Sequence, residues 1–259
     1  MRVGAKSDPG RTRTTNEDRY GVLPNLLAVA DGMGGVQAGE VASQMVIDAL
    51  LVYPFTGAGG EELAAVIKAV NREIHRASHG KPEWEGMGTT VTAALLSGGE
   101  CYVAQVGDSR AYLIRDGAIR RLTNDHSLVA ELVRNGSLSA EEAMLHPHRN
   151  LLTRALGAAE EVEVDVSRLS LALDDVLVLC TDGLTALLTD EEILAETLRH
   201  ADPQAATDGL VALANARGGP DNVTVIVAHL LPPLLALPPQ MELATELGSA
   251  LALQGAGWR

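Results

Sequence analysis

The order of elements along the chain predicts an α+β fold, a layered sandwich of mainly antiparallel sheets covered by helices. Three observations carry that reading. Strand-length apolar runs and helix-patterned segments come in blocks instead of strict βαβ alternation, which disfavours a Rossmann arrangement. Asp116-Gly117, set between the β-rich runs 111–114 and 118–122, is a two-residue hairpin signal that only antiparallel strands can use. With 259 residues, 46% of them hydrophobic and 21% charged, the chain can bury a sizeable core in one domain or at most two.

In chain order, Leu26 to Ala30 is an apolar run that stops at Asp31-Gly-Met-Gly-Gly, so a buried strand ends there. Val41, Met45, Val46, Ala49 and Leu50 recur at helical spacing, and Leu63, Val66, Ile67, Val70 and Ile74 repeat the stripe more cleanly. Runs 89–96 and 101–106, joined by Ser97-Gly-Gly-Glu, predict a second strand pair. Residues 127–156 read as a mobile flap, with a short helix ending near Asn135-Gly136 and a capping box from Ser139 to Glu142. Val162, Val164 and Val166 alternate with polar residues as a half-buried strand, and the unbroken run Val176 to Cys180 suits a strand covered on both faces. Thr189 and Glu192 form another capping box, Asp202-Pro203 and Gly218-Gly219 bracket a helix, and Val223, Val225 and Val227 make a last alternating strand. Beyond Leu230 the composition changes: 231–259 reads as a Pro-rich linker and a short amphipathic tail, leaving 1–230 as the folded unit.

Composition excludes whole classes of function. Aromatics make up 3% of the chain, too few for base-stacking platforms, and 34 acidic against 20 basic residues give a net charge of −14 that repels a phosphate backbone. No nucleic-acid partner is expected. Cys101 and Cys180 lie in apolar runs outside any CxxC pattern, so they read as buried thiols in a reducing compartment. No basic, apolar leader opens the sequence, and its apolar runs fall short of the ~18 residues that cross a bilayer, so a cytoplasmic protein without a membrane span is expected.

The chemistry lies in carboxylates at strand ends. Asp31, Asp108 and Asp182 follow apolar runs, and Asp221 precedes one. Any one alone reads as a turn residue. If all converge, two unit charges about 4 Å apart cost ~4 kcal/mol at an effective dielectric near 20, and a divalent cation is the remedy. Oxygen donors without His or Cys select Mg2+ or Mn2+ over Zn2+. Gly32 would let its carbonyl approach the metal, and Arg13 offers a fork for phosphate oxygens.

Seven motifs in order then become recognisable. Arg13-x-x-Asn16-Glu17-Asp18, Asp31-Gly-Met-Gly-Gly35, Gly88-Thr-Thr90, Gly107-Asp-Ser-Arg110, Leu122-Thr-x-Asp125-His126-Ser127, Thr181-Asp182-Gly183 and Asp221-Asn222 resemble the bacterial metal-dependent Ser/Thr protein phosphatases of the type 2C family over roughly residues 3–230. The resemblance implies a four-layer α-β-β-α sandwich with a binuclear Mn/Mg centre at its edge. Asp31 would bridge the metals, the Gly32 carbonyl would complete one, and Asp182 and Asp221 would ligate the other. Glu17 and Asp18 would act mainly through metal-bound waters, Asp108 with Asp182 would hold a third, looser metal, and Arg13 would bind the substrate phosphate. A hydroxide bridging the metals would attack phosphoserine or phosphothreonine in line, without a phosphoenzyme, in opposition to a Ser/Thr kinase. A monomer acting on phosphoproteins is expected.

One departure stands out: many eukaryotic members carry a proposed general-acid His where this chain has Met33, which has no proton to give. Water at the third metal, or His146 or His148 of the flap, are the replacements considered, while His126 is expected to be structural, bonded to Asp125 and Ser127. Two other readings stay open: a catalytically weak metal-binding or phosphoprotein-docking module on the same fold, and a phosphatase for small metabolites.

Overall fold

The computed structural model describes residues 1–34 and 38–230, so the expected linker and tail lie outside the described residues. In chain order the strands are β1 Arg2–Asp8, β2 Arg19–Leu23, β3 Leu26–Ala30, β4 Gly32–Met33, β5 Gly88–Thr89, β6 Val91–Ser97, β7 Glu100–Val106, β8 Arg110–Arg115, β9 Ala118–Arg121, β10 Asp165–Ser170, β11 Val176–Cys180 and β12 Val223–His229. The helices are α1 Gly39–Val52, α2 Gly60–Gly80, α3 Leu128–Arg134, α4 Ala140–Leu145, α5 Asp182–Thr185, α6 Asp190–Arg199 and α7 Pro203–Ala216.

Two five-stranded sheets, β1-β12-β11-β8-β9 and β10-β7-β6-β3-β2, are antiparallel throughout. Alternation along the strands sends one set of side chains into the space between the sheets, where Leu27, Val29, Val103, Leu113, Leu179 and Ile226 meet. The opposite faces are closed by helices: Leu26, Val91 and Ala104 pack under α1 and α2, and Val178, Val225 and Val227 under α6 and α7. The layers are therefore α-β-β-α. The hairpin step behaves as its residues require, with Asp116 at φ 52° and Gly117 at φ 74°, both left-handed, as a type I′ turn demands.

Three differences from expectation have physical causes. β1 and the edge strand β2 were not foreseen; Arg-Val-Gly-Ala-Lys-Ser-Asp becomes a strand by pairing along its whole length with buried β12. The run 89–96 splits at Thr90, whose N–H donates to the Asp31 carbonyl (2.9 Å), so that β5 pairs with β4 and β6 with β3 and β7. Of the three alternating valines, Val166 alone lies in a strand. The ladder between β10 and β7 starts at Asp165, opposite Gln105, and Val162 and Val164, ahead of it, instead pack on the core beneath α1 and α2.

Candidate active site

Ladder register explains why distant acids meet. Arg19 pairs with Ala30 at the end of the β2–β3 ladder, which places Asp18 and Asp31, one residue further out on each strand, side by side. In the other sheet Cys180 pairs with Val225, so Asp182 beyond the end of β11 and Asp221 before the start of β12 reach the same edge. Asp108 follows β7 there too. All the carboxylates foreseen from the strand ends are thus brought to one end of the sandwich.

A hydroxyl relay stitches the two sheets together at this end. Asp18 is 1% exposed, and its Oδ2 accepts from Thr181 Oγ1 (2.8 Å) and Thr224 Oγ1 (2.7 Å) of the facing sheet. With the Thr224 proton committed to Asp18, the Ser7 hydroxyl must donate to Thr224 (2.7 Å), and Ser7 in turn accepts from Asn16 Nδ2 (2.8 Å). The relay's proton directions are fixed and favour an ionised Asp18. Its other oxygen, Oδ1, is buried with no partner.

Burial and mutual repulsion dominate the electrostatics. Asp18 is pushed up to about 7, by burial first, against the pull of its threonine hydroxyls, with Asp182 and Asp221 adding repulsion. Asp108 rises to about 8, by burial and then the Asp182 charge. Asp31 lies well above the usual carboxylate range, through burial and the charges of Asp18, Asp182 and Asp108, and its carboxyl is within hydrogen-bonding reach of that of Asp182, itself raised by burial. Glu17 is raised by burial too.

These residues fit a hard divalent cation. All the side-chain donors are oxygens, one buried carboxylate oxygen has no partner, and the repulsion that raises the set is what a cation cancels. Among the described residues no three His, Cys, Asp or Glu side chains close around a single point. Asp221 is held by Arg13, whose Nε (2.9 Å to Oδ1) and Nη2 (3.0 Å to Oδ2) form a fork. Asn222 fastens the Arg13 segment to β12: its Oδ1 accepts from the Glu17 N–H (2.9 Å) and its Nδ2 donates to the carbonyls of Pro9 (3.1 Å) and Thr15 (2.9 Å). Gly32 is required by packing before any metal is considered, because a Cβ there would strike the Gly39 carbonyl.

Several supporting groups escaped the reading of strand ends. Thr90 Oγ1 accepts from the Asp31 N–H (3.0 Å) and bonds Ser109 Oγ (2.8 Å), joining the Asp31 and Asp108 turns. Thr90, Ser109, Thr181 and Asn222 all stood inside the motifs; Ser7 and Thr224, on regular strands, carried no local signal. His126 is buried and structural as expected, but its partners differ. Its Nδ1 accepts from the Gly107 N–H (3.0 Å) and its Nε2 faces Asp165 (3.3 Å), in place of Asp125 and Ser127. His146 and His148 lie against each other, ring centroids 5.7 Å apart, and neither lines the groove beside Asp108 and Asp182. Met33 lines a separate cavity of about 570 Å3 with His79 and Lys81.

Fold and site define a class: an antiparallel sandwich between helix pairs, with an acidic, oxygen-only centre at one edge. Comparison with known proteins narrows it, for residues 11–214 match the family described as protein phosphatase 2C. The chain belongs to that family. It is 43% identical over 234 residues to the serine/threonine protein phosphatase PstP of Mycobacterium tuberculosis, covering 89% of this chain and 45% of that protein. It therefore spans about half the length of the mycobacterial relative. It is 42% identical to the serine/threonine phosphatase stp of Listeria monocytogenes, covering 88% of this chain and 96% of that one. A crystal structure of the PstP catalytic domain in complex with two manganese ions superposes with a TM-score of 0.82 at 41% identity, covering 89% of this chain and 98% of that one.

Proposed function

We propose that residues 1–230 form a metal-dependent protein phosphatase that hydrolyses phosphoserine and phosphothreonine on proteins, in opposition to a Ser/Thr kinase. The convergence of Asp18, Asp31, Asp108, Asp182 and Asp221 from both sheets onto one edge carries this reading. Asp31, the Gly32 carbonyl, Asp182 and Asp221 would hold two Mn2+ or Mg2+ ions, Glu17 and Asp18 would orient their waters, and Asp108 with Asp182 would hold a third ion. When bound, such ions lower the pKa of water enough to yield a nucleophile for in-line attack near neutral pH, and they neutralise charge on the phosphoryl oxygens.

The chain's own residues do the rest. Thr181 and Thr224 favour the ionised form of Asp18 by donating to Oδ2, and Asn222 fastens the Arg13 segment beside Asp221. The Arg13 fork, 56% exposed and already shaped to a carboxylate, suits two phosphate oxygens equally well. Met33 has no proton for the departing alkoxide, which solvent would have to protonate. Among the described residues no helix is long and apolar enough to cross a membrane. We take the protein to act as a cytoplasmic monomer.

The test is phosphate release from phosphothreonine, phosphoserine and phosphotyrosine peptides and from sugar phosphates, with and without Mn2+. Mn2+-dependent turnover of the first two, lost in Asp31→Ala, is expected. Turnover of sugar phosphates alone, or none that needs a metal, would overturn the proposal.

A further inference from the structure

A groove of about 540 Å3 opens directly from Asp108 and Asp182 and runs beneath the flap. Its lining is charge-segregated. Arg110, Arg121, Arg134 and Arg149 face it, whereas the site's own pair apart, Asp125 is the single carboxylate along it. Asp125 is already saturated: its oxygens take Arg110 Nε (3.1 Å), Arg110 Nη2 (2.8 Å) and Arg121, and its carbonyl takes Arg134 Nη1 (2.9 Å). Among the described residues, Arg134 and Arg149 have no carboxylate at ion-pair distance. In a chain of net charge −14, an arginine-rich wall beside the site is a specific feature of this surface.

Apolar side chains share the lining with these arginines, on helices that are lightly held. Neither α3, of seven residues, nor α4, of six, has a buried residue. Val129 and Val133 of α3 and Met144 of α4 line the groove, and Met144 is 68% exposed. A cationic rim beside exposed aliphatic side chains, continuous with a phosphate-handling site, matches an extended polypeptide that carries a carboxylate. A small metabolite would have no use for these aliphatic side chains.

Resting on the phosphatase reading above, we propose that this groove is the subsite for the substrate chain next to the phosphorylated residue, and that Arg149 with Arg134 selects an Asp or Glu within a few residues of it. Val133 and Met144 cover the peptide's aliphatic groups. The arginines are specificity-determining residues, distant from the reacting atoms.

The experiment uses the Mn2+-loaded full chain and phosphothreonine peptides in which one Glu, or Gln in its place, is moved residue by residue along each side. At one or two positions Glu is expected to raise kcat/KM roughly 3–10-fold over Gln, the range for one charge-assisted pair at a partly exposed site. Arg149→Glu should cancel or invert that ratio, and Arg149→Lys should keep part of it. A ratio of two peptides on one enzyme preparation is insensitive to the folded fraction. Equal kcat/KM for every wild-type Glu/Gln pair, or a preference that survives both Arg149→Glu and Arg134→Gln, would overturn the inference while leaving the phosphatase reading intact. Failure to hydrolyse any of the peptides would overturn both.

Discussion

The two ends of the β11 strand carry aspartates, one fully and one partly buried, that behave in opposite ways. Asp175, just before the strand, is fully buried, and burial alone would raise it. Yet it lies below the usual carboxylate range because Arg115 Nε and Nη2 (both 2.6 Å) and the Ala172 N–H (2.7 Å) donate to it. Asp182, just after the strand, is raised, with burial the largest cause, and its neighbours Asp31 and Asp108 are raised with it. The desolvation cost is common to both ends, and the partner decides the sign. One end satisfies its carboxylate for stability; the other leaves like charges adjacent, which is tolerable only where a cation is to be bound.

Substitutions can break that contrast from either side. The largest effect is expected at the acidic end: Asp31→Ala should lower Mn2+-dependent kcat by about 10²–10³-fold, the scale of losing one pre-organised charge-stabilising group, as read by phosphate release. At the other end, Asp175→Ala should leave turnover per folded molecule intact but destabilise by about 3 kcal/mol, read by urea denaturation. That figure is at the low end for breaking a buried pair because Arg115 is 38% exposed and regains water. If Asp175→Ala proved neutral, pairing would not be what distinguishes the two ends.

Smaller effects sharpen the comparison. Thr224→Val removes one donor to Asp18 and should weaken Mn2+ binding about 10-fold by calorimetry, as for other groups that orient a metal ligand. Unchanged affinity would mean that the relay serves the fold alone. The two ends should also differ in pH dependence. Asp175 has a folded pKa below its unfolded value, so the stability it gives is present above about pH 4 and lost as pH falls through the folded value. Asp18 and Asp108, at about 7 and about 8 when folded, instead hold extra protons in the native state above an unfolded value near 3.9. Stability of the chelated protein should therefore fall as pH rises from about 4 to about 8, by a few °C in Tm, and Mn2+ at pH 8 should restore it. A chelated Tm that rises over that interval would contradict the account of the acidic end.

Legibility followed the range of the interactions involved. β3 and β11 begin and end where their apolar runs do, and the capping boxes at Ser139 and Thr189 form as written, because each depends on residues within one turn or one strand. β1 was invisible because its polar sequence becomes a strand only beside β12, and Val162 and Val164 lie ahead of the β10 ladder, packed on the helix-covered core. The same division runs through the site. Its acids were legible as residues at strand ends, whereas Ser7, in a strand not foreseen, and Thr224, at an ordinary strand position, couple the sheets through Asp18 and gave no sign of it.

Local order thus determined the element types, the family motifs and the set of oxygen donors, since each is encoded in a few neighbouring residues. Tertiary structure alone decided which acids are raised and which are satisfied, that Arg13 meets Asp221, and that arginines far apart in sequence line one groove. Desolvation and charge–charge energies depend on through-space distances and on how much water is excluded, and neither is fixed until both sheets have packed.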